Sequence, residues 1–330
     1  MGAVEFWEDR YGSKEQVWSG RVNRVLVDVA SDLLPGRALD LGCGEGGDAI
    51  WLAQRGWQVT AMDISTIAVE RGRTAALATG VPADRITWVA QDLADWTPSA
   101  TFDLVSAFFL HSPVELPREE ILRRAAGAVA PGGHLLVVAH AAPPPWWTPE
   151  QHEHAHEALP TPEEELASLR LAAGEWDVVI AEARLRPTTD PEGKPVEILD
   201  GVVLVRRRLP EGERDVASEL RALEPIFHRS PAGSTREHFE AMTVPDYWEV
   251  GASGRPYERE FVLATVTERH HTGAANGPLD VTDFAVRRLD GDAWLVTYDL
   301  DQDGRRSRRS TIWLDTPGGW VAVYHQGTLT

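Results

Sequence analysis

The chain has 330 residues, 43% of them hydrophobic and 25% charged, with a formal net charge of -19. A field of that sign repels phosphate backbones and anionic lipids, which disfavours nucleic acid and membrane surfaces as partners. The single cysteine excludes an internal disulfide. We expect a cytoplasmic protein, because no signal-peptide pattern opens the chain and no apolar run reaches the length of a membrane span.

The most informative segment is a glycine-rich turn that follows the short apolar run Arg37–Leu41. Gly42, Gly44 and Gly47 fit the G-x-G-x-x-G pattern of dinucleotide sites. Asp40 argues against such a site, because a carboxylate at the strand end repels a diphosphate and attracts a cationic ligand. A plain strand-to-helix turn would need one or two glycines rather than four. The turn therefore predicts a binding loop for a cation-bearing nucleoside.

The segment Asp40-Leu-Gly-Cys-Gly-Glu-Gly46 resembles the glycine motif of class I S-adenosylmethionine-dependent methyltransferases. S-adenosylmethionine carries an ammonium, a carboxylate and a sulfonium but no phosphate, so an acidic strand end suits it. The resemblance implies S-adenosyl-L-methionine as cofactor and an α/β fold with a Rossmann-like, seven-stranded doubly wound sheet. The predicted cofactor residues are Asp40, Gly42, Cys43, Gly44, Gly46, Asp63, Ile64, Asp92, Leu93, Ala107, Phe108, Trp18 and Ser19.

Two further acidic residues close predicted strands. Asp63 ends the strand Gln58–Ile64, where a carboxylate can accept both ribose hydroxyls. The alternative role for Asp63 is a helix N-cap, although Ser65 can fill that role. The family resemblance places Asp92 and Leu93 at the adenine amine and ring. Cys43 is expected to be a small residue beside the ligand rather than a nucleophile.

Predicted strands alternate with predicted helices, as is typical of a parallel doubly wound sheet. The later strands are predicted at Arg85–Leu93, Phe102–Leu110, Pro131–His140, Asp177–Arg184 and Glu197–Arg206. The helices are predicted at Asp48–Arg55, Ser65–Thr79, Pro117–Ala130 and Pro162–Ala173. By resemblance, the last strand runs antiparallel and is inserted between the fifth and sixth.

The first thirty residues are rich in aromatic side chains ahead of any predicted strand. Phe6-Trp-Glu-Asp-Arg-Tyr11 followed by Val17-Trp-Ser-Gly20 resembles the tellurite-resistance and thiopurine branch of small-molecule methyltransferases. In that branch the N-terminal segment closes over donor and acceptor. We expect residues Trp7 to Asn23 to form a lid that excludes water from the reacting sulfonium. The remainder of the first thirty residues is expected to form an amphipathic helix packed on the edge of the sheet.

The acceptor is expected to be a small molecule, such as a thiol, a chalcogen anion or another small nucleophile. Ser106-Ala-Phe-Phe109 stands where base- and amide-methylating members of the family carry Asn-Pro-Pro-Tyr. His111 and His140 follow predicted strands and are candidate general bases, or else packed side chains. The predicted substrate residues are Trp7, Arg10, Tyr11, His111 and Trp146.

Residues 1–208 are predicted to form the methyltransferase domain, 209–215 a linker and 216–330 a second domain of α+β class. Its helices are predicted at Val216–His228 and Ser234–Met242, before an antiparallel sheet. The segments after Asp246 and after Ser310 resemble the cone-shaped nuclear transport factor 2 and ketosteroid isomerase superfamily. We expect a ligand-binding or dimerisation module, which makes a homodimer one expected partner. An isomerase is the alternative, with Asp283, Tyr247 and His271 as conceivable site residues.

Three other hypotheses stay open. His152 and His156 share a face if helical, but methyl transfer requires no metal and none is expected. A non-catalytic protein that senses S-adenosylmethionine is the main alternative function. An NAD-dependent dehydrogenase is a weaker one.

Overall fold

The computed structural model describes residues 2–31, 33–147, 159–228, 230, 234–272 and 279–330. The chain divides into two compact units, Met1–Glu213 and Arg214–Thr330. The division lies within the segment 209–215 that the sequence analysis proposes as a linker. The histidines at 152, 154 and 156 lie outside the described residues.

The first unit contains a seven-stranded sheet in the order β3-β2-β1-β4-β5-β7-β6. Its elements are α1 (Ala3–Gly12), α2 (Arg24–Ala30), β1 (Arg37–Leu41), α3 (Gly47–Gln54), β2 (Gln58–Asp63), α4 (Thr66–Ala78), β3 (Ile86–Ala90), β4 (Phe102–Phe108), α5 (Arg118–Gly127), β5 (Val129–His140), α6 (Pro162–Ser168), β6 (Trp176–Thr189) and β7 (Pro195–Arg207). Strands β1 to β5 pair in parallel. β7 lies antiparallel between β5 and β6, which confirms the predicted insertion.

Both faces of the central strands of this sheet are buried, as a doubly wound fold requires. Successive residues of β7 alternate between two apolar clusters, with Val202 and Leu204 in one and Val203 and Val205 in the other. Helices α2 and α3 contribute to the first cluster and α5 to the second. The strands therefore read as continuous apolar runs, and their carboxyl ends are left at one edge to carry polar residues.

The end of α6 and the turn between β6 and β7 differ from their predicted positions for local reasons. α6 ends at Ser168 rather than Ala173, and Arg170 beyond it adopts a φ of 50° that no helix continues. Strand β6 continues beyond its apolar segment to Thr189, and β7 begins before its apolar segment, at Pro195. The turn between them is closed by the Asp190 carboxylate, which accepts from the backbone N–H of Lys194 at 2.8 Å. Cross-strand pairing thus extends a hairpin whose outer half is polar in sequence.

The second unit contains a six-stranded sheet in the order β10-β11-β12-β13-β8-β9. Its elements are α7 (Val216–Leu223), α8 (Arg236–Ala241), β8 (Thr243–Val250), β9 (Pro256–Glu258), α9 (Arg259–His271), β10 (Leu279–Asp290), β11 (Ala293–Gln302), β12 (Arg305–Thr316) and β13 (Gly319–Leu329). The prediction of a purely antiparallel sheet is wrong, because β13 pairs with β8 in parallel. Parallel neighbours need a long connection, and five elements separate these two strands.

The predicted helices of the second unit are also corrected. α7 ends at Leu223 rather than His228, because a residue before proline is disfavoured in a helix and Pro225 stands inside the predicted span. α8 begins at Arg236 rather than Ser234. The helix α9 was not predicted, since β-branched residues in it suggest a strand, yet Val262, Leu263 and Val266 are its buried side chains at helical spacing.

The three conceivable isomerase residues lie in different environments. Tyr247 is buried and its hydroxyl donates to Glu249 Oε2 at 3.0 Å. Asp283 and His271 are exposed. Only Tyr247 of these three residues is buried, and the isomerase hypothesis gains no support from these positions.

Candidate active site

The glycine-rich loop leaves the end of β1 and is tied to the end of β2. Gly42, Gly44 and Gly46 have φ angles of 73°, 52° and 82°, which a residue with a side chain rarely adopts. The backbone N–H groups of Gly42 and Cys43 both donate to Met62 O, at 2.8 and 2.9 Å. The glycines thus let the backbone turn sharply at the carboxyl edge of the sheet and bring it beside the acidic strand ends.

Asp40 occupies the end of β1 and is almost completely buried, at 2% exposure. Its Oδ1 accepts a hydrogen bond from Ser106 Oγ at 3.3 Å, whereas its Oδ2 has no hydrogen-bond partner among the described residues. Burial, and then the neighbouring carboxylate of Asp48, raise the pKa of Asp40 well above its usual range, and Asp63 adds to the shift. A buried carboxylate in this state is completed by a cationic ligand.

Asp63 ends β2 beside the same loop. Its Oδ2 accepts from the backbone N–H of Gly44 at 2.9 Å and its Oδ1 from that of Ser65 at 3.0 Å. Burial raises the pKa of Asp63 to about 6. Ser65 is the N-cap of α4, since its hydroxyl accepts from the Ala68 N–H at 3.2 Å. Asp63 is therefore not needed as the cap, and each of its oxygens keeps a second lone pair for a ligand.

The N-terminal segment lies directly on the glycine loop. A Cβ on Gly44 would stand 3.2 Å from the Tyr11 hydroxyl and 3.1 Å from Trp18 Cδ1. Trp18 Nε1 donates to the Tyr11 hydroxyl at 2.9 Å, so the two linked side chains together cover Gly44. Burial raises the pKa of Tyr11 and keeps its phenol protonated. Trp18 remains 48% exposed, on the outside of this cover.

Acidic residues that the sequence analysis missed hold this segment in place. Glu45 of the glycine loop accepts from the backbone N–H of Trp18 at 2.9 Å and pairs with Arg71 at 3.0 Å. Arg71 in turn donates to Tyr11 O at 3.0 Å. Asp48 accepts from the backbone N–H of Asn23 at 2.6 Å. The loop that is predicted to bind the ligand thus also anchors the predicted lid.

A second missed residue joins α1 to the start of α4. Glu8 accepts from the Ser65 hydroxyl and from the Thr66 N–H, both at 2.8 Å. These bonds lower the pKa of Glu8 against the opposing effect of its burial. A carboxylate at a helix N-terminus is favoured by the exposed N–H groups and the helix dipole.

The opposite side of the site is formed by the segment after β4. A Cβ on Gly42 would stand 2.9 Å from Leu110 Cδ1, so this segment touches the glycine loop. His111 follows, with a buried Nε2 that has no hydrogen-bond partner within the described part of the chain. Burial, then the guanidinium of Arg118 and, last, the neighbouring imidazole of His140, lower the pKa of His111 to about 4. His111 is therefore uncharged at neutral pH.

His140, at the end of β5, is paired with an acid that the sequence analysis missed. Its Nδ1 lies 3.1 Å from Oδ1 of Asp200, which is 1% exposed. Arg186 donates to the other oxygen of Asp200 and places its guanidinium 5.2 Å from the centre of the Phe109 ring. The His140 ring lies parallel to that of His111, with 6.0 Å between ring centres. The two predicted base candidates are thus brought together.

The predicted substrate residues on α1 face the same segment. Trp7 Nε1 donates to Ser112 Oγ at 3.3 Å, directly after His111. The Arg10 guanidinium lies 5.7 Å from the Trp7 ring centre and 5.6 Å from that of Trp18. α1 therefore runs from the glycine loop to the histidine pair. Trp146 is 36% exposed, beyond β5.

The other predicted cofactor residues take varied positions. Leu93 and Ala107 lie inside an apolar cluster of the sheet, which leaves only their backbone for a ligand. Asp92 is half-buried and accepts from the Ala94 N–H at 2.8 Å. Ile64 and Phe108 are half-buried, and Ser19 is exposed, with its hydroxyl accepting from the Arg21 N–H at 3.3 Å. Burial raises the pKa of the Cys43 thiol well above its usual range, which speaks against a nucleophile.

Comparison with known proteins identifies the first unit. Residues 38–133, from β1 into β5, match a family model described as a methyltransferase domain. The first unit contains a class I methyltransferase domain. Domains of this class use S-adenosylmethionine as cofactor. The orphaned oxygen of Asp40 and the close-approaching glycine backbone in this methyltransferase domain fit that cationic nucleoside.

Relatives and solved structures are similar to the methyltransferase domain. A ubiquinone biosynthesis O-methyltransferase from Vibrio cholerae is 33% identical over 134 residues, 40% of this chain and 54% of that protein. A ribosomal RNA small subunit methyltransferase C from Chromohalobacter salexigens is 34% identical over 113 residues, 33% of each. The crystal structure of TehB from Haemophilus influenzae is 18% identical, with a TM-score of 0.44 over 61% of this chain and 67% of that one. The chain spans about half the length of the first of these relatives.

Two features are absent from the described residues. No group of three or more histidine, cysteine, aspartate or glutamate side chains in that part of the chain is placed to hold a metal ion. No helix within the same residues is long and apolar enough to cross a membrane.

Proposed function

We propose that this protein transfers a methyl group from S-adenosylmethionine to a small-molecule acceptor. The observation that carries the proposal is Asp40, whose Oδ2 is buried beside the glycine loop without a partner in the described residues. Other carboxylates, Asp48 and Asp63, raise its pKa further. A pocket of this charge favours a ligand with an ammonium and a sulfonium over a diphosphate such as NAD.

The roles of the chain's residues follow from their positions. We assign Asp40 to the cationic methionine end of the donor, and Gly42 to Gly46 to its close backbone contact. Asp63 keeps lone pairs for the ribose hydroxyls, and Asp92 lies at the end of the next strand for the adenine amine. The bound donor supplies an electrophilic methyl group on a sulfonium. Tyr11 and the residues around it exclude water from that group.

The test of the donor site is the substitution Asp40→Asn. Removing the anion while keeping its shape should weaken S-adenosylmethionine binding by about a hundredfold, which is about 2.7 kcal/mol. Isothermal titration calorimetry measures the loss. Asp95→Asn is the matched control, because Asp95 is an exposed carboxylate of the same domain. Unchanged donor affinity in Asp40→Asn would contradict the assignment.

Catalysis is tested separately from donor binding. Release of S-adenosylhomocysteine is measured across thiols, chalcogen oxyanions, phenols and amines. Turnover of at least one acceptor is expected, because the site combines a donor pocket with a second, histidine-lined side. Tight donor binding without turnover of any acceptor would favour the non-catalytic sensing function instead.

For the second unit we propose a ligand-binding or dimerisation module of the nuclear transport factor 2-like type. The support is its composition of a mixed six-stranded sheet with helices α7, α8 and α9. Sedimentation of the full chain over a range of concentrations tests the dimer. A monomer at every concentration would rule out the assembly role, and a screen of apolar ligands by calorimetry would then test binding.

A further inference from the structure

The pairing of His140 with Asp200 fixes which nitrogen of the imidazole can take a proton. A carboxylate is only an acceptor, so the Nδ1 of His140, 3.1 Å from Asp200 Oδ1, carries the ring hydrogen. The lone pair is then on Nε2. Arg186 donates to Asp200 Oδ2 from the neighbouring strand and holds the carboxylate in position. This is the arrangement of a histidine oriented for general-base work.

His111 is a poorer base than His140. It has no acidic partner among the described residues, and burial together with Arg118 disfavours its charged form. Arg118 is held by a two-point ion pair with Glu165, with contacts of 3.0 and 2.6 Å. The parallel, uncharged His111 ring therefore serves as a wall beside His140 rather than as a proton acceptor.

The surroundings of His140 select among acceptor classes. The charged groups that face it are Asp200 on β7, Arg186 on β6 and, through His111, Arg118 on α5. Asp200 is already matched by Arg186, and Arg10 adds a second guanidinium beside Trp7. Cations disfavour an ammonium acceptor and stabilise an oxyanion. The aromatic rings of Trp7 and Phe109 suit a flat, apolar body.

We propose that His140 is the general base for an acceptor with an aromatic hydroxyl, and that Asp200 is its positioning residue. The inference rests on the proposed methyl transfer. In the step, the acceptor O–H proton passes to His140 Nε2 while the oxygen forms a bond to the methyl carbon. The carbon–sulfur bond breaks with its electron pair on sulfur, which leaves a neutral thioether. His140 then returns the proton to solvent.

The first test compares acceptors that differ only in acidity. His140→Ala should lower kcat for phenol or catechol by about a hundredfold. It should change kcat little for 4-nitrophenol in mildly alkaline buffer, because that acceptor is already ionised. Asp200→Asn should show the same split with a smaller loss. His134→Gln is the matched control, since His134 begins the part of the same strand that pairs with β7, six residues before His140.

Three kinetic results would overturn the inference. They are an equal loss for phenol and 4-nitrophenol, turnover confined to thiols or amines, and no turnover of any hydroxyl compound by a protein that binds the donor. Donor affinity measured by calorimetry in the same samples separates these results from a failure of the proposed function, in which no donor would bind.

The second test needs no turnover. The nitrogen chemical shifts of His140, recorded by NMR on the donor-free protein, report which ring nitrogen carries hydrogen. The wild-type protein should show the Nδ1–H tautomer, and Asp200→Asn should shift the ring toward the Nε2–H tautomer. A purely structural role for Asp200 would leave the tautomer unchanged. An Nε2–H tautomer in the wild-type protein would overturn the inference, because that nitrogen could not accept the acceptor proton.

Discussion

Each of the two units buries a carboxylate, and the two carboxylates are completed differently. Asp40 in the first unit is 2% exposed and Glu224 in the second is 1% exposed. Glu224 Oε1 accepts from Trp313 Nε1 at 3.0 Å, and its Oε2 accepts from the Tyr298 hydroxyl at 2.9 Å and from the Ile226 N–H at 2.7 Å. Asp40 has a single long bond, from Ser106, and one oxygen with no partner among the described residues.

The difference teaches that burial alone does not mark a binding site. Burial raises the pKa of both carboxyl groups. Both oxygens of Glu224 accept hydrogen bonds from the protein itself, so the group stabilises the core of the second unit. Asp40 Oδ2 accepts no hydrogen bond from the described residues, so this oxygen is available to a ligand.

The largest effect on the free energy of unfolding should come from replacing the two buried carboxylates one at a time. Glu224→Ala leaves the indole N–H of Trp313 and the hydroxyl of Tyr298 without their acceptor and should lower the free energy of unfolding by about 3 kcal/mol. Asp40→Asn should leave that free energy unchanged or raise it, because it replaces a buried carboxyl group whose Oδ2 has no hydrogen-bond partner among the described residues. Hydrogen exchange resolves the two units, and donor affinity should be lost only in Asp40→Asn. Equal destabilisation by both substitutions would refute the contrast.

A second, intermediate effect concerns pH. Since the folded pKa of Asp63 is raised to about 6, the carboxylate is progressively protonated as the pH falls through that value. Donor affinity should therefore drop below pH 6, by up to about tenfold per pH unit. The stability of the donor-free protein has the opposite sign. The contribution of a group with a raised folded pKa is fully present below the unfolded value and is lost as the pH rises through about 6.

Calorimetry across this pH range measures the effect. Asp63→Asn should flatten the profile of donor affinity, whereas Glu224→Gln should leave its shape unchanged because Glu224 belongs to the other unit. A profile that is flat in the wild-type protein would show that Asp63 does not face the donor.

The sequence could predict only those parts of the candidate site that depend on neighbours in the chain. Asp40 and the glycines that follow it form one local pattern, because the strand end and the turn must be consecutive. The strand order was available only through resemblance, since periodicity says which residues are buried but not which strands pair. The same limit explains the parallel pairing of β8 with β13 and the missed α9, whose β-branched residues conceal a helical spacing.

The anchoring and positioning residues could not be found from the sequence. Asp200 meets His140 across 60 residues, and Arg71 meets Glu45 across 26. Each pair depends on which elements become neighbours in the folded sheet. A local signal existed only for Glu45, an acid placed among loop glycines, where its side chain must leave the turn. Its partner still required the three-dimensional structure.

The smallest effect should come from Glu45, whose carboxylate has protein partners, as that of Glu224 does, and which lies in the loop that follows Asp40. Glu45→Gln weakens the pairing with Arg71 and the bond from the Trp18 N–H, so the N-terminal segment should open more often. Donor affinity should fall by about fivefold, or roughly 1 kcal/mol. Trypsin cleavage after the exposed Lys14 should become faster.

The matched control is the exposed pair of Glu70 with Arg73 on α4, at 3.2 Å. Glu70→Gln removes an acid from the same helix that carries Arg71, yet solvent-exposed pairs contribute less than about 1 kcal/mol. It should alter neither cleavage nor affinity. If Glu70→Gln and Glu45→Gln accelerate cleavage equally, the effect is one of net charge. If Glu45→Gln changes neither quantity, the segment is held by its other contacts, which include those of Glu8 and of the Asp48 carboxylate, and Glu45 is a redundant anchor.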